Sequence, residues 1–252
     1  MKGNKIAPQE SKKLTELRQL VSHFNNSLAN LKSTFATWES MNDTKLIAKF
    51  NKNTSANSYQ IIRHSLLLTC TMDIANLAKD SDNRSLSLVR IMKLVNDKKI
   101  ETELLNIRKN TKNEISFSGD MPPKEYIDKL YAEQTIKRLN YFNEYLNKLK
   151  SKFVSSDFKE NCNKFWSLRS KIVAHKDLFY ENGNLILFSN NPTNINFEDI
   201  GQLVKDLEEF NNLLHAVVES SDVGWEGYDS DVKNSIFEFW KLLNKPLAVP
   251  SA

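Results

Sequence analysis

The chain has 252 residues, enough for one large domain or two small ones, with a formal net charge of +4 and 26% charged residues. Six glycines and six prolines are few for this length, and a turn-rich β sandwich or barrel needs many, so long uninterrupted helices fit best. The two cysteines, Cys70 and Cys162, fall within apolar helical patterns and lack a CxxC partner or a histidine at metal-ligand spacing, so both read as reduced core thiols.

No apolar run approaches the roughly 20 residues of a membrane span, and residues 1–13 are polar and lysine-rich rather than a charged-then-apolar leader. The expectation is a cytoplasmic protein with no membrane partner.

Leu14, Leu17, Val21, Phe24, Leu28, Leu31, Phe35 and Trp38 recur at spacings of three and four, the seam of a helix about six turns long. Such a seam requires a partner helix, either in the same bundle or in a second subunit. After polar residues 51–57, Ser58 is placed to cap a second helix with Tyr59, Ile62, Leu66, Cys70, Ile74 and Leu77 on its apolar face. That helix ends near Asp80-Ser81-Asp82-Asn83. A short helix over 87–95 turns Leu88, Ile91, Met92 and Val95 inward, and another runs from about Lys98 to Arg108. Residues 110–123 combine Gly119, Asp120 and two prolines and read as a loop.

Pro123 suits a first helical turn, and Tyr126, Ile127, Leu130, Leu139, Phe142, Leu146, Leu149 and Phe153 continue as a long helix. Ser155-Ser156-Asp157 interrupts it and can cap the next, on which Phe158, Cys162, Phe165, Arg169, Ile172 and Val173 share a side. Near residues 178–188, apolar triplets flank Asn182-Gly183, which predicts a small β-hairpin insertion. Asn196 then caps a helix with Ile200, Leu203, Leu207, Phe210, Leu214 and Val217 inward, and a last helix runs from about Asp229 to Leu243. The fold class is all-α, a multi-helix bundle. The expected organisation is an N-terminal helix and linker over 1–57, a bundle over 58–220, and a C-terminal helix and tail over 221–252.

Charge is uneven along the chain. Residues 137–176 hold ten Lys/Arg against three acids, while residues 198–231 hold ten acids against Lys205 alone. A polyanion would approach the first segment, unless the two segments are helix faces that pair with each other.

Several chemistries are excluded by what is missing. There is no glycine-rich phosphate loop, His-Glu-x-x-His helix, Gly-x-Ser-x-Gly elbow or dinucleotide fingerprint, and four scattered histidines do not suggest a metal site. No cofactor is expected. What remains is Leu168-Arg169-Ser170-Lys171-Ile172-Val173-Ala174-His175-Lys176-Asp177, an arginine and a histidine with five residues between them in the basic segment. An imidazole moves protons near neutral pH, and a guanidinium holds non-bridging phosphate oxygens as charge builds on them. RNA supplies its own 2′-hydroxyl nucleophile and DNA does not, so the pair points to RNA.

Spacing alone does not identify a site, since Arg18-Gln19-Leu20-Val21-Ser22-His23 fits as well. Those two lie on the flanks of the first helix, where long polar side chains are ordinary. Arg169 and His175 sit at a helix end, where the dipole favours imidazolium. Side chains six positions apart on a helix point about 120° apart, so the two converge only if the helix ends between them or if two copies meet. Residue chemistry leaves a structural alternative open: His175 satisfied by Asp177, and Arg169 paired with an acid on a neighbouring helix.

The stretch from Leu168 to Asp177 resembles the signature of the HEPN superfamily, and the chain is similar to its abortive-infection AbiU branch. An upstream stretch, Asp80-Ser81-Asp82-Asn83-Arg84-Ser85-Leu86-Ser87-Leu88-Val89-Arg90-Ile91-Met92-Lys93-Leu94, carries the second part of that resemblance, which covers roughly residues 58–220. It implies a HEPN-like bundle and a metal-independent endoribonuclease of toxin or antiphage type. It also implies a homodimer whose two motifs face one cleft, acting on an RNA substrate and restrained by an antitoxin or partner protein. Under it, Arg169 binds phosphate and His175 transfers the proton. Ser170, Lys171 and Asp177 support them, with Asp177 orienting or charging His175, and Lys164, Lys176 and Trp166 are candidates for RNA binding. A helical binding or scaffold protein that keeps the motif for structure is the alternative.

Arg63 and His64 read as surface or bundle-crossing residues and His215 as a packing residue. Tyr141 and Tyr145 punctuate the basic stretch and fit either base stacking or the core.

Overall fold

The computed structural model describes residues 10–50, 56–111, 122–175, 180–181, 184–185 and 197–243, with residues 171–175, 180–181, 184–185, 197 and 242–243 described by their backbone alone. Among these, nine helices form one bundle around a shared apolar core. α1 spans Lys12–Ser40, 29 residues, longer than its seam suggested. The Ser11 hydroxyl starts it by accepting the Leu14 N–H at 3.2 Å. Leu14, Leu17, Val21, Phe24, Leu28 and Leu31 are fully buried, and the helices that bury them belong to the same chain: α3 (Ala56–Lys79), α4 (Leu88–Val95), α5 (Lys98–Asn110), α8 (Phe197–Val218) and α9 (Trp225–Leu243).

α2, Thr44–Phe50, was not legible in the pattern. It contributes no buried residue and is held by the Phe50 ring stacked on Tyr59 at 4.5 Å, a contact no local period announces. α3 begins at Ala56, so Ser58 lies inside the helix rather than capping it. Its inward face is interrupted at Ile62, which is 54% exposed, whereas Tyr59, Cys70, Ile74 and Leu77 are buried as expected. α4 follows the expectation, with Ser87 as its cap and Leu88, Ile91, Met92 and Val95 all buried. Residues 112–121, most of the predicted loop, lie outside the described residues.

α6 spans Lys124–Val154, but only Phe142, Leu146 and Leu149 are buried on it, and Tyr126 is 53% exposed. The cause is the run of α8 alongside. Lys152 of α6 meets Asp206 of α8, while Arg108 of α5 touches both the Phe142 ring and the last carbonyls of α8, those of Ala216 and Val217. The helices therefore run antiparallel, and α8 ends level with Phe142, so the earlier turns of α6 reach past it. Ser155 breaks the chain, and α7 spans Ser156–His175 with Phe158, Cys162, Phe165 and Leu168 buried.

The β-hairpin insertion is not supported as an element of this fold. Tyr180–Glu181 and Asn184–Leu185 pair over two residues each, too short a ladder to stand as a hairpin, and the rest of 178–188 lies outside the described residues. On α8 the whole predicted inward set is buried, from Ile200 to Val217. α9 begins at Trp225, ahead of the expected start, because the Trp225 indole is buried and donates to Asn212 at 3.0 Å.

Beyond α8, Ser220 adopts φ 60, the left-handed region that helix ends usually give to glycine. Ser220→Gly should therefore raise stability by up to about 1 kcal/mol, read as a higher denaturation midpoint at unchanged slope.

Candidate functional site

α7 carries the motif, and its burial pattern sets the direction of Arg169. Phe158, Cys162, Phe165 and Leu168 face the core, and α3 packs extensively along the helix. Arg169 follows at the edge of that face, its side chain 26% exposed. Its guanidinium lies over the Trp166 ring, 4.6 Å from the centroid, and one terminal nitrogen is 3.8 Å from Oδ2 of Asp80, itself 18% exposed. That distance is too long for a hydrogen bond but close enough for charge attraction in a partly desolvated setting. Nε of Arg169 is buried and has no hydrogen-bond partner among the described residues.

Asp80 was not singled out from the sequence, although it opens the upstream stretch that carries the resemblance. The fold brings these two stretches into contact at Asp80 and Arg169. Trp166 is half-buried against the core with Arg169 on its face, so it braces the arginine. Ser170 Oγ donates back to the Trp166 carbonyl at 2.9 Å, a bond internal to the helix. Lys164 Nζ lies 3.9 Å from Glu160, one turn earlier. His175 is the last residue of α7; its side chain and those of Lys171, Lys176 and Asp177 lie outside the described residues.

The basic and acidic segments do meet, in part. Lys152 binds Asp206 at 2.8 Å and Glu209 at 2.6 Å; burial works against its charge, yet these carboxylates hold its pKa above the ordinary lysine value. Elsewhere the acids of α8 and α9 go to cations of α1. Lys32, buried, pairs with Glu208 at 2.5 Å and Asp229 at 2.9 Å and lies over the Trp225 ring, and Arg18 pairs with Glu219 at 3.2 Å. Arg18 is thus a structural cation, and His23 is exposed. A cleft of about 420 Å³ opens among α1, α8 and α9 beside Lys32, but none of Lys164, Trp166, Arg169 or Ser170 lines it.

Cys70 and Cys162 are buried free thiols, each pushed up to about 12 chiefly by burial. Among the described residues no group of His, Cys, Asp and Glu is arranged to hold a metal, and no helix is long and apolar enough to cross a membrane. Tyr141 is exposed, whereas Tyr145 packs partly against the core.

Among known families, HEPN_AbiU2, described as AbiU2, matches residues 14–235. The match begins in α1 and reaches into α9, beyond the 58–220 over which the resemblance was expected. No curated protein and no solved structure matches the chain.

The half-buried histidines away from the motif are ordinary bundle residues with depressed pKa values. Burial lowers His64, with the Arg63 charge adding to it, and burial lowers His215 against an opposing pull from Glu219. The unfolded chain therefore takes up protons at these positions before the folded one does. Stability present above the ordinary histidine value of 6.5 is lost as pH falls through the lowered folded values. His215→Gln should lose less stability than the parent between about pH 7 and 5. Parallel pH-stability curves for the two proteins would contradict this.

Proposed function

The chain belongs to the HEPN_AbiU2 family, and we propose that it is a metal-independent endoribonuclease of abortive-infection type, in which Arg169 and His175 from two copies act at one cleft. The observation that carries this reading is Arg169. Its guanidinium is braced by Trp166 and drawn by Asp80 through charge alone, so among the described residues its terminal N–H donors are spent on no hydrogen bond. A phosphate can take donors that the protein has left unspent.

In the reaction we assign, the RNA 2′-oxygen attacks the adjacent phosphorus while His175 accepts the 2′-hydroxyl proton. Arg169 holds the non-bridging oxygens as negative charge accumulates on the phosphorane. The bond from phosphorus to the 5′-oxygen then breaks, and the leaving oxygen takes a proton from the second copy's imidazole. The products are a 2′,3′-cyclic phosphate and a 5′-hydroxyl. Two copies are invoked because α7 stays helical through His175, so the helix does not end between the two side chains. Their Cα positions lie about 120° apart around the helix within one copy.

One observation favours the structural alternative, a helical scaffold that keeps the motif for its packing. Arg169 does pair with an acid next to a neighbouring helix, as a purely structural arginine would. The two readings part on cleavage. Wild-type protein incubated with cellular RNA in EDTA should cut it, and His175→Ala or Arg169→Ala should lower the rate by about a hundredfold or more with an unchanged melting temperature. Equal cleavage by all three proteins, or by none, selects the scaffold. Expression in cells should arrest growth in a manner that His175→Ala abolishes.

A further inference from the structure

Asp80 is the first residue after α3, and both its backbone and its carboxylate are tied into the turn that follows. Oδ1 accepts the Asp82 N–H at 3.0 Å. The Asp80 carbonyl accepts the hydroxyl of Ser87, whose oxygen also receives the Arg90 N–H at the head of α4. Within the turn, Asp82 accepts the Arg84 N–H at 2.8 Å, and Ser85 Oγ donates to the Asp82 carbonyl at 2.7 Å. Arg90 then braces the turn from below, reaching the Ser85 carbonyl at 3.3 Å and Glu16 of α1 at 2.7 Å. Beside it, Lys79 donates to Asn163, tying the end of α3 to α7 ahead of Arg169. The turn is thus held in place, the Asp82 N–H engages one carboxylate oxygen, and the other, Oδ2, faces Arg169.

We infer that Asp80 is a positioning residue for Arg169. Its fixed negative charge aims the guanidinium at the phosphate, and it touches no substrate itself. The inference rests on the ribonuclease reading above and adds to it a residue that the packing of α3 on α7 brings to the arginine. Two features argue for aim rather than for a closed clamp. A bidentate Arg–carboxylate pair would consume two donors at about 2.7–2.9 Å, whereas this pair stands at 3.8 Å. The second is Trp166, which fixes the plane of the guanidinium and leaves Asp80 to set its rotation within that plane.

A carboxylate beside a phosphate site also repels the substrate. Removing its charge should therefore leave RNA binding as tight as before, or tighter, while turnover falls because the arginine is no longer aimed. A residue that only holds the fold together would not split the two effects in this way.

Asp80→Asn tests this on the full chain, since the amide oxygen can still accept the Asp82 N–H. With a fluorescent single-stranded oligoribonucleotide, kcat should drop about tenfold or more while KM stays level or falls. In a His175→Ala background, which prevents cleavage, anisotropy should show the same affinity for that oligonucleotide with and without Asp80→Asn, or a modest gain. A second comparison does not depend on how stable the variant is: in Arg169→Lys protein, adding Asp80→Asn should cost no further activity, because the group it aims is gone.

Wild-type kcat in Asp80→Asn, a loss carried by weaker binding, or a full additional loss in the Arg169→Lys background would each overturn the positioning role while leaving the ribonuclease reading intact. A folded wild-type chain that cuts no RNA would overturn both.

Discussion

A helix apolar at every third or fourth position along 29 residues has to be covered along its length, and α1 is covered by α3, α4, α5, α8 and α9. Each fully buried leucine or phenylalanine on such a seam is favoured by about 1.5–3 kcal/mol over its exposed state. The burial of Leu14, Leu17, Phe24, Leu28 and Leu31 therefore dominates the placing of those helices. The motif helix is positioned at one remove. α7 packs most heavily on α3, which itself packs on α1, and the turn that follows α3 presents Asp80 to Arg169. Damage to the α1 seam should thus be felt at Arg169 through α3, with no direct contact needed.

Charge is organised by the same frame. The acidic helix α8 lies between α1 and α6, and each neighbour supplies a cation at its level: Arg18 and Lys32 from α1, Lys152 from α6. These pairs bridge helices and are partly shielded from water, so they count for more than exposed pairs along one helix, such as Lys148 with Glu144. They also shorten the basic surface available to a polyanion. Lys150 and Lys152 of the basic segment are engaged by Glu101, Asp206 and Glu209, whereas Arg138 of α6 and Arg169 of α7 keep nitrogens with no hydrogen-bond partner among the described residues.

Where one face of a helix is strongly apolar and fully covered, the sequence was enough. The inward sets of α4 and α8 were readable residue by residue, and so was most of the α1 seam. α6 was misread for a reason its own sequence does not contain: apolar residues at helical spacing say nothing about whether a neighbour extends far enough to cover them, and α8 stops level with Phe142. α2 escaped because it is held by contacts of one ring, Phe50, with Tyr59 and Trp240, which no local period announces. At the site, Arg169 was found from its chemistry and its surroundings. Asp80 was hidden among 31 acidic residues, and only the packing of α3 on α7 brings it to the arginine.

The continuity of α7 bears most directly on how such a site would work. Six residues of unbroken helix separate the Cα atoms of Arg169 and His175 by about 9 Å along the axis and place them roughly 120° apart around it. In the reading proposed above, the arginine and the imidazole acting on one phosphorus come from different copies of the helix. Any such activity then follows the concentration of the assembled form, and it falls off steeply when the chain is dilute. A protein that covers the exposed side of α7 would silence the chemistry without altering a single catalytic group. The bundle would remain folded throughout, because the residues that stabilise it lie on the opposite, buried side of α7 and along α1.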